Sequence, residues 1–262
     1  MPSLRALMAG GIRAARWLAV ALCLSYAAHT AVSAEPLRVL AAFTLKPALD
    51  QIAADYRKTA GNITLVYGPS PGLAQQLENG APGDLFFSAD AMWTDDLAKH
   101  RLIRDGTLTE LVGNHLVLIA KKGAPPVDLK SLARSVGAGP IAMCDPDGHP
   151  AGRMAKASLT SLGLWDQVAT KVASAENPLL AVKMVARGDA PYAVVFTTDA
   201  MTDPGVDIVA TFPDGSHPPI RYPVAILASS RNPEAARFLD YLKSNTAVET
   251  FQRLGYEIPI AK

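Results

Sequence analysis

Cysteine is scarce in this chain: Cys23 and Cys144 are the only two in 262 residues. Net charge is nearly absent too, at +1, which removes the electrostatic reason to expect nucleic acid or an anionic membrane as a partner. The chain has no Walker loop and no dinucleotide fingerprint, so no nucleotide cofactor is expected. It has no internal repeat, low-complexity tract or coiled-coil heptad. A long apolar run is missing as well. Trp17 to Leu24 stops at Ser25-Tyr26, far short of the ~20 residues a membrane span needs. With Arg5, Arg13 and Arg16 before and around it, and Val32-Ser33-Ala34 after it, that short run reads instead as a secretory signal over residues 1–34. A lipid on Cys23 is disfavoured, because Leu22 stands where a small residue is wanted.

Cleavage after Ala34 leaves 228 residues and takes the formal charge from +1 to −2, since three arginines leave with the leader. Cys144 then stands alone, which excludes an internal disulfide. A chain of this length buries enough apolar surface to fold without one. It suits one large domain or two lobes of about 100 residues each.

Strand and helix patterns alternate through these residues, which argues for parallel sheets covered by helices. Leu37 to Ala42 reads as a strand, and Leu45, Leu49, Ile52, Ala53 and Tyr56 follow at helical spacing until Gly61-Asn62. Ile63 to Tyr67, Asp84 to Ser88, His115 to Ala120, Pro140 to Cys144, Tyr192 to Phe196, Ile208 to Ala210 and Tyr222 to Ala228 read as further strands. Helices are expected from Leu73, Pro150 and Pro178, and two more at the C-terminal end.

Two hydroxyls sit where a strand turns into a helix. Thr44 follows the first strand, and Ser70 follows the second inside Gly68-Pro69-Ser70-Pro71-Gly72. A helix start carries unpaired N–H groups and the positive end of the dipole, and so suits an anion. The second segment also matches a G-x-S-x-G nucleophile elbow, with Ser70 as nucleophile and His217 as a distant base. Pro71 argues against it, because the residue after the serine should supply an oxyanion-hole N–H and proline has none. Cys144 and His149 bracket Asp145-Pro146-Asp147-Gly148, but no second pair completes a zinc site. Cys144 therefore reads as an inert cysteine ending a buried strand.

The chain resembles the periplasmic molybdate-binding proteins that serve ABC importers. The resemblance rests on Ala41-Ala42-Phe43-Thr44-Leu45, Gly80 to Asp90, Gly113-Asn114, Asp145-Pro146-Asp147 with Pro150-Ala151-Gly152, Leu162 to Asp166, Thr211 to His217 and Tyr222-Pro223-Val224. It implies a two-lobe α/β fold of the type II periplasmic-binding class, each lobe a mostly parallel sheet flanked by helices. Residues 35–111 with 222–262 would form lobe one and 112–221 lobe two. The ligand would lie between them and draw the lobes together on a hinge. The protein would be a monomeric, non-enzymatic carrier without a cofactor, passing molybdate or tungstate to a membrane permease.

Carried over by position, the contacts to the oxyanion, not to the metal itself, fall on Thr44, Ser70, Ala151, Pro178 and Phe196. Three of these depart from the family pattern. Thr44 keeps the usual hydroxyl but adds a methyl. Pro178 lacks the N–H used there, and Phe196 lacks the hydroxyl of the usual tyrosine. Two lost donors at ~1.5–3 kcal/mol each would weaken binding by roughly two to four decades. A retuned pocket, for another oxyanion or for a small organic acid or sulfonate, is the alternative those residues leave open.

Overall fold

The computed structural model describes residues 35–259; the leader and Cys23 lie outside them. From its start, β1 (Leu37–Ala42) passes through a tight turn at Phe43–Leu45 into α1 (Lys46–Thr59). Then come β2 (Ile63–Gly68), α2 (Ser70–Glu78), β3 (Leu85–Phe87), α3 (Ala91–Lys99) and β4 (Thr109–Asn114). Beyond His115 follow β5 (Leu116–Lys121), α4 (Leu132–Val136), β6 (Ile141–Cys144), α5 (Pro150–Ser161), α6 (Trp165–Val168), β7 (Val172–Ala175), α7 (Pro178–Arg187), β8 (Tyr192–Phe196), α8 (Thr197–Ala200) and β9 (Val206–Thr211). The chain closes with β10 (Ile220–Ile226), α9 (Glu234–Tyr241) and α10 (Asn245–Arg253).

The local reasons are plain in α1. Pro47 sits in its first turn, where a missing N–H costs nothing. Ala48, Leu49, Ile52, Ala53 and Tyr56 make one buried face, and Arg57 and Lys58 in the last turn complement the dipole. Buried strands show the period of two. In β5, Leu116 and Leu118 pack into one apolar cluster while Val117 and Ile119 pack into another. In β3, Leu85 and Phe87 face one way and Phe86 the other. Both sheets are thus covered on both faces, which is why their strands read as continuous apolar runs.

The strands form two five-stranded sheets, ordered β2-β1-β3-β10-β4 and β7-β6-β8-β5-β9. In the first, β1 runs parallel to β2 and β3, while β10 runs antiparallel to β3 and β4. In the second, β6 runs parallel to β7 and β8, while β5 runs antiparallel to β8 and β9. Each sheet therefore has a single reversed strand, and in each it is a strand that has just arrived from the other sheet. The two-lobe α/β reading holds.

Two expectations need correction. The lobe boundaries at 111/112 and 221/222 each fall inside paired strands of the first sheet, because β4 and β10 pair from Asn114↔Ile220 through Val112↔Tyr222 and, past a register shift, on to Thr109↔Val224. The chain passes between the sheets at His115 and over residues 212–219. The strand expected from His115 begins at Leu116, His115 being the crossing residue itself. Two further strands, β4 and β7, escaped the pattern. Both lie at sheet edges, and they are built from Thr-Glu-Leu-Val-Gly-Asn and Val-Ala-Ser-Ala, which carry little apolar signal. Among the described residues no helix is long and apolar enough to cross a membrane.

Candidate functional site

The parallel strands decide where a ligand meets this fold. In open α/β sheets, ligands sit beyond the carboxyl ends of the strands. The paired ends Ala42 and Gly68 put the C-terminal ends of β1 and β2 side by side, with Thr44 and Ser70 each two residues further on. Cys144 and Ala175 are paired at the ends of β6 and β7, and Phe196 ends β8. Ala151, Pro178 and Phe196 therefore share the C-terminal edge of the second sheet. The crossing residue His115 joins the end of β4 to the start of β5, which runs against β8. The two C-terminal edges are thus separated by a single residue along the chain, and the five candidate positions lie at or just beyond them.

On the first edge the donors are set in place. Thr44 is exposed in the turn after β1, and its carbonyl accepts a short hydrogen bond from Tyr256 Oη that fixes the turn. Ser70 is buried as the first residue of α2. Its Oγ accepts the N–H of Ala89 at 3.1 Å, which ties the helix start to the loop beyond β3. With a lone pair so engaged, the hydroxyl hydrogen is available to another acceptor.

The second edge is different. Ala151 lies in the first turn of α5, brought close by Gly152. A Cβ on Gly152 would stand 2.0 Å from the Asp145 carbonyl oxygen and 2.5 Å from that of Cys144, so only glycine lets this helix start against the end of β6. The Ala151 N–H is not unclaimed, however: it donates to His149 Nδ1 at 3.1 Å, making the imidazole the N-cap. Burial lowers the pKa of His149, the Arg153 charge lowers it further, and Asp145 partly opposes. The neutral ring can therefore accept. At α7, Pro178 is the first helical residue and has no N–H, and Leu180 N–H is held by Asn177 Oδ1 at 3.0 Å. Phe196 is half-buried, and its own N–H donates to Asp199 Oδ2 at 3.1 Å.

Polar groups bridge the edges. Asn114 Nδ2 donates to Thr198 Oγ1 at 2.9 Å and to Tyr222 Oη at 3.1 Å. His115 O accepts the N–H of Thr197 at 3.0 Å. A Cβ at Gly113 would press on the ends of the Arg221 and Glu257 side chains, 2.5 Å from Nη1 and 2.7 Å from Oε2. Behind Phe196, burial pushes the Asp199 carboxyl up to about 7, and the Phe196 N–H offsets this in part. Burial also pushes the Cys144 thiol up to about 12, with Asp199 adding to it. That thiol is inert, at the end of a buried strand.

The family model described as bacterial extracellular solute-binding protein matches residues 37–257. A molybdate-binding protein of Escherichia coli (strain K12) is 36% identical over 94% of this chain and 99% of its own length. Another from Haemophilus influenzae is 37% identical over 91% of this chain and 94% of its own. Among solved structures, a substrate-binding domain assigned to a molybdenum ABC transporter of Clostridium difficile superposes with a TM-score of 0.80. Its identity is 31%, over 86% of this chain and 99% of that one. The chain belongs to the bacterial extracellular solute-binding proteins.

The surroundings of Ser70 do not form a nucleophile elbow. Its hydroxyl oxygen takes an N–H from Ala89, and the base offered by the hydrolase reading, His217, is half-buried with Nδ1 against the Pro218 carbonyl at 2.8 Å. Sequence reasoning did not pick out the close approach at Gly152, the hydrogen bonds of Asn114 and Tyr256, or His149 as a cap. The small residue after Pro150-Ala151 was the available signal for Gly152. Histidine is outside the usual set of N-caps, so nothing flagged His149.

Proposed function

We propose that this protein captures molybdate, and tungstate with it, between the two sheet edges in the periplasm, and delivers it to the membrane permease of an ABC importer. The observation that carries this reading is the first edge. Two hydroxyls at strand-to-helix turns, Thr44 and a Ser70 oriented by Ala89, present neutral donors without a counter-ion. A set of fixed dipoles can replace the hydration of a dianion while leaving it exchangeable. The relatives named above as molybdate-binding support the choice of anion, and the secretory leader supports the compartment. The lobes close by bending at His115 and the 212–219 segment, with no bond made or broken in the solute.

A second reading follows from the other edge, where Pro178 has no N–H and Phe196 no hydroxyl. Those two residues favour an anion with one apolar side, a small organic acid or a sulfonate. A thermal-shift panel of molybdate, tungstate, sulfate and small carboxylates and sulfonates separates the two, because a ligand of the native state alone must raise stability. Molybdate at 100 times its dissociation constant should add about 2.7 kcal/mol. A panel in which molybdate leaves the melting temperature unmoved while an organic anion raises it rejects the first reading.

A further inference from the structure

The helix start that should meet the anion from the second sheet has its donor already engaged. Ala151 N–H lies 3.1 Å from His149 Nδ1, so the imidazole occupies the direction along which an oxyanion oxygen would accept the same hydrogen. One N–H makes one well-aligned bond. The helix cannot slide to offer another, because Gly152 is pressed against the Asp145 and Cys144 carbonyls. Arg153 Nη1 donates to Gly148 O at 3.0 Å and holds the turn that carries the ring. An accepting Nδ1 leaves Nε2 to carry the ring hydrogen, which fixes the tautomer.

We propose that His149 is a built-in competitor for the anion: the ligand-free protein holds the Ala151 N–H with the imidazole, and an oxyanion takes this helix start only by displacing the ring. The inference rests on the reading of the cleft as an oxyanion site. It makes His149 a residue that sets both affinity and selectivity. A charge-assisted bond is roughly twice as strong as a neutral one, so a dianion displaces the ring readily. A weakly basic or singly charged ligand displaces it poorly.

Calorimetric titration with molybdate of the wild type, His149→Ala and His149→Asn tests this. His149→Ala should bind roughly fivefold more tightly, the worth of a typical N-cap, while its ligand-free melting temperature falls by ~3 °C. A purely structural role would lower affinity and stability together. His149→Asn, whose amide oxygen can cap the same N–H, should stay within about threefold of the wild type. Unchanged or weaker binding by His149→Ala overturns the proposal. Nitrogen-15 spectra of the ligand-free ring add a readout independent of any anion. The Nε2–H tautomer is expected, and an Nδ1–H tautomer overturns the proposal outright. If the tautomer is as expected and no variant takes up molybdate, the ring is upheld as the holder of the N–H and molybdate is rejected as the ligand.

Discussion

The two sheet edges that face each other across His115 are built from the same parts and end in opposite states. Each offers strand ends followed by helix starts. On the first edge, Ser70 Oγ takes a hydrogen bond from Ala89 and Thr44 is held through its carbonyl by Tyr256, so neither bond uses a hydroxyl hydrogen. On the second, Ala151 N–H goes to His149, Phe196 N–H goes to Asp199, and Pro178 has none. The difference teaches how such a cleft works in sequence. Under the proposed function, the prearranged edge would receive the anion first, and the self-satisfied edge would join only where the anion offers more than its internal partners do.

The sharpest way to break that contrast is to remove what places the second edge. Gly152→Ala puts a Cβ 2.0 Å from the Asp145 carbonyl oxygen. It should cost roughly 3 kcal/mol of stability, at the upper end for overpacking, and displace the Ala151 helix start. Chemical denaturation and anion titration would show both losses. Retention of full affinity would mean the second edge takes no part.

Asp199 tests the interior behind Phe196. Its folded pKa of about 7 lies above the unfolded value near 3.9. Its contribution to stability is therefore full below about pH 4 and lost as pH rises through about 7, on the order of 4 kcal/mol in all. Asp199→Asn keeps an acceptor for the Phe196 N–H and should flatten that slope. An unchanged pH profile of stability in the variant would place the titration elsewhere.

Smaller effects sharpen the contrast from either side. Ser70→Ala should weaken anion binding by about 2 kcal/mol, the value of a hydrogen bond to a charged group. Phe196→Tyr should strengthen molybdate binding by about 1 kcal/mol by restoring a donor on the poorer edge. Calorimetry reads both. A Phe196→Tyr variant that binds no better would remove Phe196 from the ligand's surroundings.

Much of this was legible in the residues themselves. Continuous apolar strands such as Leu116–Lys121, the amphipathic face of α1 and the strand-turn-helix settings of Thr44 and Ser70 follow from period and turn chemistry. What escaped has a common physical cause. Edge strands β4 and β7 are short on large apolar residues, with Thr, Glu, Gly and Asn in one and Ala and Ser in the other, and so carry weak patterns. The Asn114–Thr198 bond joins residues 84 positions apart, and the Tyr256–Thr44 bond joins residues 212 apart. No local window contains either pair. The raised pKa of Asp199 depends on burial, which composition does not reveal. Ala151 was carried over by position as an oxyanion contact, and only the placement of a side chain, His149, showed its N–H in use.

What matters most is whether the anion sits between these two edges. A crystal structure of the protein with molybdate, its metal located by anomalous scattering, tests that most directly. The account predicts one peak between Thr44 and Ser70 on one side and Ala151 on the other, with the His149 ring turned away from the Ala151 N–H. A peak outside this gap, or one inside it with the ring still capping Ala151, would contradict it.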